Sequence, residues 1–194
     1  MSPRLRRLPR LPSPPRPPGR GRAPLGHLVI EARVPGGPAV ARRSRPNTVF
    51  LSGATLVSEL FAGRVATPVN GMGVGTDPNP SAAPYRDVTL STVDDAGQPL
   101  TGPVAVALDP GAITVGPDAD ELRVRVLIRG VLPPEGARAA DGGPVRIAEA
   151  ALGVLTADAS GLARVYNRVT FDPIPKAPEH ELALYWEIFF PYGP

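Results

Sequence analysis

The chain has 194 residues, of which 42% are hydrophobic, enough for one domain with a core of its own plus a short tail. It has no cysteine and only two histidines, which excludes a disulfide framework, a thiolate nucleophile and a Cys-type zinc site. The formal net charge of +3 is uneven, because seven arginines precede the first acidic residue and leave 14 of the 21 basic residues, against 18 acidic ones, to the rest. We expect neither a metal nor a cofactor.

Residues 1–25 are rich in proline and arginine and show no pattern that would build a core. We expect a disordered arm with polyproline II character, followed by a single β-rich domain over residues 26–194. The chain has no apolar run of the length of a secretory signal or a membrane span. The arm is either a tether to nucleic acid or an acidic protein surface, or an extension without function. Its candidate contact residues are Arg4, Arg6, Arg7 and Arg10.

The domain opens with a predicted hairpin. Residues 28–34 and 38–43 each contain apolar positions, and Pro35-Gly36-Gly37 separates them as a turn. Residues 47–50 are expected to continue the second strand.

The one predicted helix covers residues 52–63, with Ser52 as its N-cap and Gly63 as its C-terminal stop. Apolar side chains four residues apart predict a single face that packs on the core. These are Leu56 with Leu60, and Val57 with Phe61.

Residues 70–80, NGMGVGTDPNP, resemble a phosphate-binding loop only superficially, because a P-loop requires a lysine that this stretch lacks. The strict alternation of Gly71, Gly73 and Gly75 predicts a strand with one glycine face, closely backed by another element, for which the predicted helix is the candidate. An Asp-Pro turn is expected to end it.

The remaining elements are short, with alternating polarity and few helical signals. About seven or eight strands in all predict a mainly β fold, an antiparallel β-sandwich with one short helix. Residues 145–155 fit either a strand or a short helix. The later strand candidates are residues 104–108, 112–115, 122–129, 145–155, 162–171 and 181–190.

Two strands carry the candidate partner contacts of the domain. In residues 122–129, the apolar side chains from Leu122 onward point one way, and arginines form a basic outer face. Residues 185–192 hold five aromatic residues in eight positions, which fits a partner contact, a carbohydrate platform or a central strand buried on both faces. The candidate contacts are Arg123, Arg125, Arg129, Tyr185, Phe189 and Tyr192.

The sequence gives no support for catalysis. The acidic residues at 118–121 lack the frame of a calcium loop. The triplet Glu179-His180-Glu181 does not form a catalytic pair by local spacing, because adjacent residues on a strand face opposite ways. No serine lies in a G-x-S-x-G motif. We therefore expect a protein that is not an enzyme.

Residues 26–192 resemble a group of small phage-tail-like structural proteins in the order of their motifs. That order is N-x-V-x-x-x-G, a V-G-T-[GD] strand, I-x-E-x-G-L, x-x-R-x-x-F-x-P-I-x-K and W-x-I-x-F, with Ala151 here in place of the glycine. The matching residues are Asn47, Val49, Gly53, Val74, Gly75, Thr76, Ile147, Glu149, Leu152, Arg168, Phe171, Pro173, Ile174, Lys176, Trp186, Ile188 and Phe190.

The resemblance implies a non-enzymatic structural subunit of a phage tail-like or contractile injection particle, present in several copies. It would act through contacts with other subunits, in a cytoplasmic assembly or in the particle itself, and nucleic acid would bind only through the basic arm. The alternative is a carbohydrate-binding β-sandwich that uses Tyr185, Trp186 and Tyr192.

Overall fold

The computed structural model describes residues 26–49, 51–64, 67–79, 89–118 and 122–191. The predicted arm with Arg4, Arg6, Arg7 and Arg10 lies outside these residues, as does Tyr192. The described elements are β1 (Gly26–Arg33), β2 (Ala39–Pro46), β3 (Thr48–Val49), α1 (Leu51–Phe61), β4 (Gly71–Gly75), β5 (Ala105–Ala107), β6 (Ile113–Asp118), β7 (Arg123–Leu132), β8 (Val145–Leu155), β9 (Leu162–Lys176) and β10 (Glu181–Pro191).

The strands form two five-stranded antiparallel sheets that pack face to face. Sheet A has the order β2-β1-β10-β7-β6, and sheet B has the order β3-β9-β8-β4-β5. The mainly β sandwich with one short helix is thereby confirmed. We call the faces that meet in the core the inner faces, and the opposite faces the outer faces.

Alternation along the strands builds the core. In β1, Leu28, Ile30 and Ala32 are buried and the residues between them are half-buried. In β10, Leu182, Leu184 and Trp186 are buried in the same way. Each sheet therefore contributes one apolar face, as expected for strands of period two.

The predicted β1–β2 hairpin is confirmed, but residues 47–50 do not continue it. Asn47 ends the pairing with β1 and the chain crosses to sheet B, where Thr48 and Val49 pair with Arg168 and Asn167 of β9. Phe50 lies outside the described residues. The prediction missed the crossing because a short strand pattern is compatible with pairing in either sheet and does not indicate which one.

The helix is confirmed with two corrections. It begins at Leu51, so Ser52 is not the N-cap; its hydroxyl donates a hydrogen bond of 2.6 Å to the carbonyl of Val165. Leu56 is buried as predicted, whereas Leu60 and Phe61, which were expected to pack on the core, are 39% and 90% exposed. No helix in the described ranges is long and apolar enough to cross a membrane.

Two further corrections concern strand limits. Residues 145–155 form a strand, β8, which settles the choice left open by their pattern. Strand β7 continues to Leu132, past the predicted end at residue 129. Its Gly130 faces Met72 of sheet B, whose Cε would lie 2.8 Å from a Cβ added at position 130. The two sheets approach closely at this point.

Candidate interaction surface

Strand β10 lies at the centre of sheet A and separates the aromatic residues of the chain end into two environments. Trp186 is completely buried on the inner face, while Tyr185 and Phe189 are half-buried on the outer face. The strand is therefore not buried on both faces. A sugar cannot stack on the Trp186 ring in this fold, which removes that residue from the carbohydrate-platform hypothesis.

The three arginines of β7 lie on the same outer face, beside β10. Arg129 pairs across the strands with Tyr185, and Arg125 pairs with Phe189. All five predicted contact residues in the described part of the chain therefore share one surface: Arg123, Arg125, Arg129, Tyr185 and Phe189. Leu122 was expected on the inner face, but it precedes the strand at a φ of 49° and is exposed.

This surface is not the basic face that the sequence of β7 predicts. The Nε of Arg123 donates to Oδ2 of Asp118 on β6 at 2.9 Å, and Arg125 forms an ion pair with Glu187 on β10. Acidic side chains from both neighbouring strands thus neutralise two of the three arginines. Such pairing depends on strand order, which a local pattern does not contain.

Ion pairs of this kind cross every strand junction of sheet A. The Nε of Arg42 on β2 lies 3.3 Å from Oε1 of Glu31 on β1, and the Nε of Arg33 on β1 lies 2.7 Å from Oε1 of Glu181 on β10. The Glu181 carboxylate raises the pKa of the Arg33 guanidinium through this hydrogen bond. With the two pairs of β7, one ion pair bridges each of the four junctions, and we call this row the outer ladder.

Aromatic and apolar groups lie between the charges of the outer ladder. The guanidinium carbon of Arg123 lies 4.0 Å from the centroid of the Phe189 ring, a cation–π contact. A shallow groove of about 410 Å³ runs over Gly116 between β6 and β7, lined in part by Arg125 and Leu127. The surface combines paired charges, half-buried aromatic rings and an open groove.

A second charged cluster lies on the outer face of sheet B and is shielded from solvent. Oε2 of Glu149 accepts a hydrogen bond from Nε of Arg168, and Oε1 accepts one from the backbone N–H of Ser91 at 2.6 Å. Nη2 of Arg168 lies 3.3 Å from Oδ2 of Asp77 and 3.4 Å from the carbonyl oxygen of Asn79. We call these residues the buried cluster.

The buried cluster holds chain segments in place. Burial raises the pKa of the Glu149 carboxyl, and the Ser91 amide and Arg168 act in the opposite direction. The backbone N–H of Asn79 is the main cause of a lowered pKa at Asp77, in the predicted Asp-Pro turn. Both carboxylate oxygens of Glu149 have partners on the protein, so the cluster anchors residues 76–79 and 91 to sheet B.

The glycine face of β4 is confirmed, but the helix does not back it. A Cβ at Gly71 would meet the side chain of Leu155, and one at Gly73 would lie 2.7 Å from Cδ1 of Leu90 and 3.2 Å from Cδ1 of Leu162. The helix instead packs on β9, where its Gly53 touches the Tyr166 carbonyl. Leucines from neighbouring segments therefore fill the space that the glycines leave.

Sequence reasoning missed the acidic half of the outer ladder. Alternation in β1 and β10 places Glu31, Glu181 and Glu187 on the faces opposite the buried residues, and this was the available signal.

Within the described ranges, no three His, Asp or Glu side chains are grouped to hold a metal ion. Comparison of the chain with protein-family models, curated proteins and solved structures finds no match.

Proposed function

We propose that the chain is a non-enzymatic structural subunit of a phage tail-like or contractile injection particle, and that it contacts other subunits through the outer face of sheet A. The observation that carries this proposal is the gathering of five candidate contacts on one open surface: Arg123, Arg125, Arg129, Tyr185 and Phe189. Arginine and tyrosine are enriched in protein interfaces, whereas small-molecule sites are usually concave and mostly apolar.

The order of the sequence motifs supports the choice of particle, and the fold gives those motifs a physical basis. Gly75, Glu149 and Arg168 come from three separate motifs and meet in the buried cluster. Because these three residues are needed together to build one packed site, their three motifs are expected to occur together in the same chain. The kind of particle is proposed from that resemblance. The contact surface is proposed from the candidate contacts that lie together on the outer face of sheet A.

The proposal is tested by reversing one charge on the outer face of sheet A. Arg129→Glu changes an exposed arginine opposite Tyr185, and Arg146→Glu makes the same change on the outer face of sheet B, where the Arg146 side chain is 61% exposed. Tagged versions of both variants and of the unchanged chain are expressed in the cells that encode this chain. Intact particles are then purified from those cells and imaged.

We expect the unchanged chain and Arg146→Glu to enter the particles and Arg129→Glu to be reduced several-fold in them. Each purified variant is checked for folding by circular dichroism. The unchanged chain purified as a monomer and missing from all particles would contradict the proposal. Binding of a glycan array by that monomer, lost with Tyr185→Ala, would favour the carbohydrate-binding alternative.

A further inference from the structure

The two sheets have four edge strands in the described part of the chain, and three of them are protected against pairing with another chain. Strand β3 has two residues and is followed by the helix that packs on β9, and β5 has three residues. Strand β2 carries Arg42, Arg43 and Arg45, and its pairing with β1 has a register shift at Ala32/Arg33. Short edges, charges and bulges all hinder the addition of a further strand.

Strand β6 lacks most of this protection. It has six residues, ITVGPD, without lysine or arginine, and its one charged residue, Asp118, is already paired with Arg123. Pro117 is its single disruptive residue and lies near one end. Within the described ranges, residues 114–116 pair with β7 on one side only, whereas the Ile113 N–H already donates to the Pro110 carbonyl. A strand with one unpaired side is the ordinary template for strand addition.

The inner face beside β6 also extends past the core. Trp186 and Ile128 pair across β10 and β7 and are buried, but four residues further along each strand, Val124 is half-buried and Phe190 is 44% exposed. On β6, Val115 is 64% exposed. An uncovered apolar row next to an open edge indicates an interface between proteins.

We infer that β6 pairs antiparallel with β6 of a second copy of this chain across a twofold axis, so that the two A sheets form one ten-stranded sheet. Charge favours this occupant, because each β6 edge carries a single charged residue, which lies at its end and is already paired with Arg123, whereas two β2 edges would bring six arginines together. The Val115 side chains then lie beside apolar groups of the other copy instead of water. The inference rests on the proposed function in one respect, namely that a particle contains several copies of this chain.

The symmetry of this pairing has a consequence for the outer face. A twofold axis that relates antiparallel neighbouring strands stands perpendicular to the sheet, so both outer faces lie on the same side. The outer ladders of two copies would then form one continuous surface. The grooves over the two Gly116 residues would lie next to each other at its centre.

The test uses the full chain and two matched substitutions. Val115→Arg places a charge on the β6 edge, and Val40→Arg does so at a valine that is 60% exposed on β2, the opposite edge of the same sheet. Light scattering coupled to size exclusion gives the mass across a range of concentrations. We expect the unchanged chain and Val40→Arg to self-associate, and Val115→Arg to raise the dissociation constant of this step at least about tenfold.

Crosslinking provides an independent readout that does not depend on a charged substitution. Because the chain has no cysteine, Gly116→Cys introduces a single thiol on β6, and Ser44→Cys introduces one on β2. Paired strands lie about 5 Å apart, within reach of a short bismaleimide. We expect covalent dimers from Gly116→Cys and far fewer from Ser44→Cys.

A monomeric unchanged chain, or equal crosslinking at both thiols, would overturn the inference. Self-association that Val115→Arg leaves unchanged would overturn it too, yet would leave the proposed function standing. Conversely, dimers through β6 from a chain that never enters particles would support the edge pairing and contradict the proposed function.

Discussion

Glu149 and Arg168 form an ion pair on the outside of sheet B in which the two side chains are 0% and 5% exposed. They lie on neighbouring strands, where Glu149 is diagonal to Arg168 and directly opposite Gly75. The pair is shielded because residues 76–79 and 91 cover it and contribute hydrogen bonds to it. A buried charge pair is costly to form but even costlier to break on one side.

The first prediction is that these two side chains depend on each other for stability. Glu149→Gln or Arg168→Met alone should lower the free energy of unfolding by about 3 kcal/mol. Arg168→Met leaves the buried Glu149 carboxylate without its counter-charge, and Glu149→Gln leaves Arg168 only the more exposed carboxylate of Asp77. The double variant should lose less than the sum, by about 2 kcal/mol. Chemical denaturation of the four proteins measures the cycle, and additive losses would show that the two groups are independent.

The second prediction concerns Gly75, the glycine of β4 that faces the buried cluster. A Cβ there would clash with the Glu149 carboxylate and lie 2.7 Å from the carbonyl oxygen of Ser91, neither of which can move without breaking hydrogen bonds. Gly75→Ala should therefore cost about 2 kcal/mol or more. Gly161→Ala is the control, since a Cβ at that position meets nothing within 4 Å. Equal melting temperatures of the two variants would contradict the prediction.

Local pattern was sufficient to predict most of the strands and their period. The alternation in β4 placed its glycines on one face, whereas for β10 it left open whether one face or both are buried. These predictions succeeded because a strand with one buried face has a fixed period of two.

The order of the strands could not be predicted, and most errors come from it. Strand β10 lies between β1 and β7, which come from distant parts of the chain. Alternation places the acidic residues of β10 on the outer face, but it does not show that they pair with Arg33 and Arg125. For the same reason the leucines behind Gly71 and Gly73 were missed. Helix periodicity likewise does not reveal that Phe61 is exposed, because periodicity contains no information on which other elements lie beside the helix.

The third prediction is a pH dependence that belongs to Lys176, the single lysine of the chain. Its Nζ donates to the carbonyl of Pro134 at 2.8 Å, and burial, together with Arg138, lowers its pKa from 10.5 to about 8. At a pH between these two pKa values, the lysine binds more protons in the unfolded chain than in the folded one, so the free energy of unfolding rises with pH. The gain attributable to this group should be about 1 kcal/mol from pH 7 to 9.

Lys176→Met supplies the comparison, because methionine has a similar length and no titrating group. Subtracting its stability curve from that of the unchanged chain removes the contributions of His27, His180 and the other shared groups. A flat difference between pH 7 and 9 would contradict the prediction. The pKa is also accessible directly, since labelled lysine gives a single side-chain signal in a chain with one lysine.

The last prediction concerns the outer ladder, which we expect to contribute little to stability pair by pair. The side chains of Arg125 and Glu187 are 49% and 29% exposed, and exposed ion pairs contribute about 0–1 kcal/mol. Glu187→Lys places a like charge beside Arg125 and should cost about 1 kcal/mol at low salt, less at high salt. Adding Arg125→Glu restores an opposite pair and should recover most of that loss.

The same variants separate stability from assembly. If the ladder serves only to hold sheet A together, the charge-swapped protein should match the unchanged chain in both denaturation and incorporation into particles. If another subunit binds the ladder, the swap restores stability while incorporation stays impaired, because that subunit then meets each charge reversed. We expect the second outcome, measured as denaturation midpoints and as the amount of each tagged variant in purified particles. Full recovery of both would argue that the outer ladder has a role within the sheet alone.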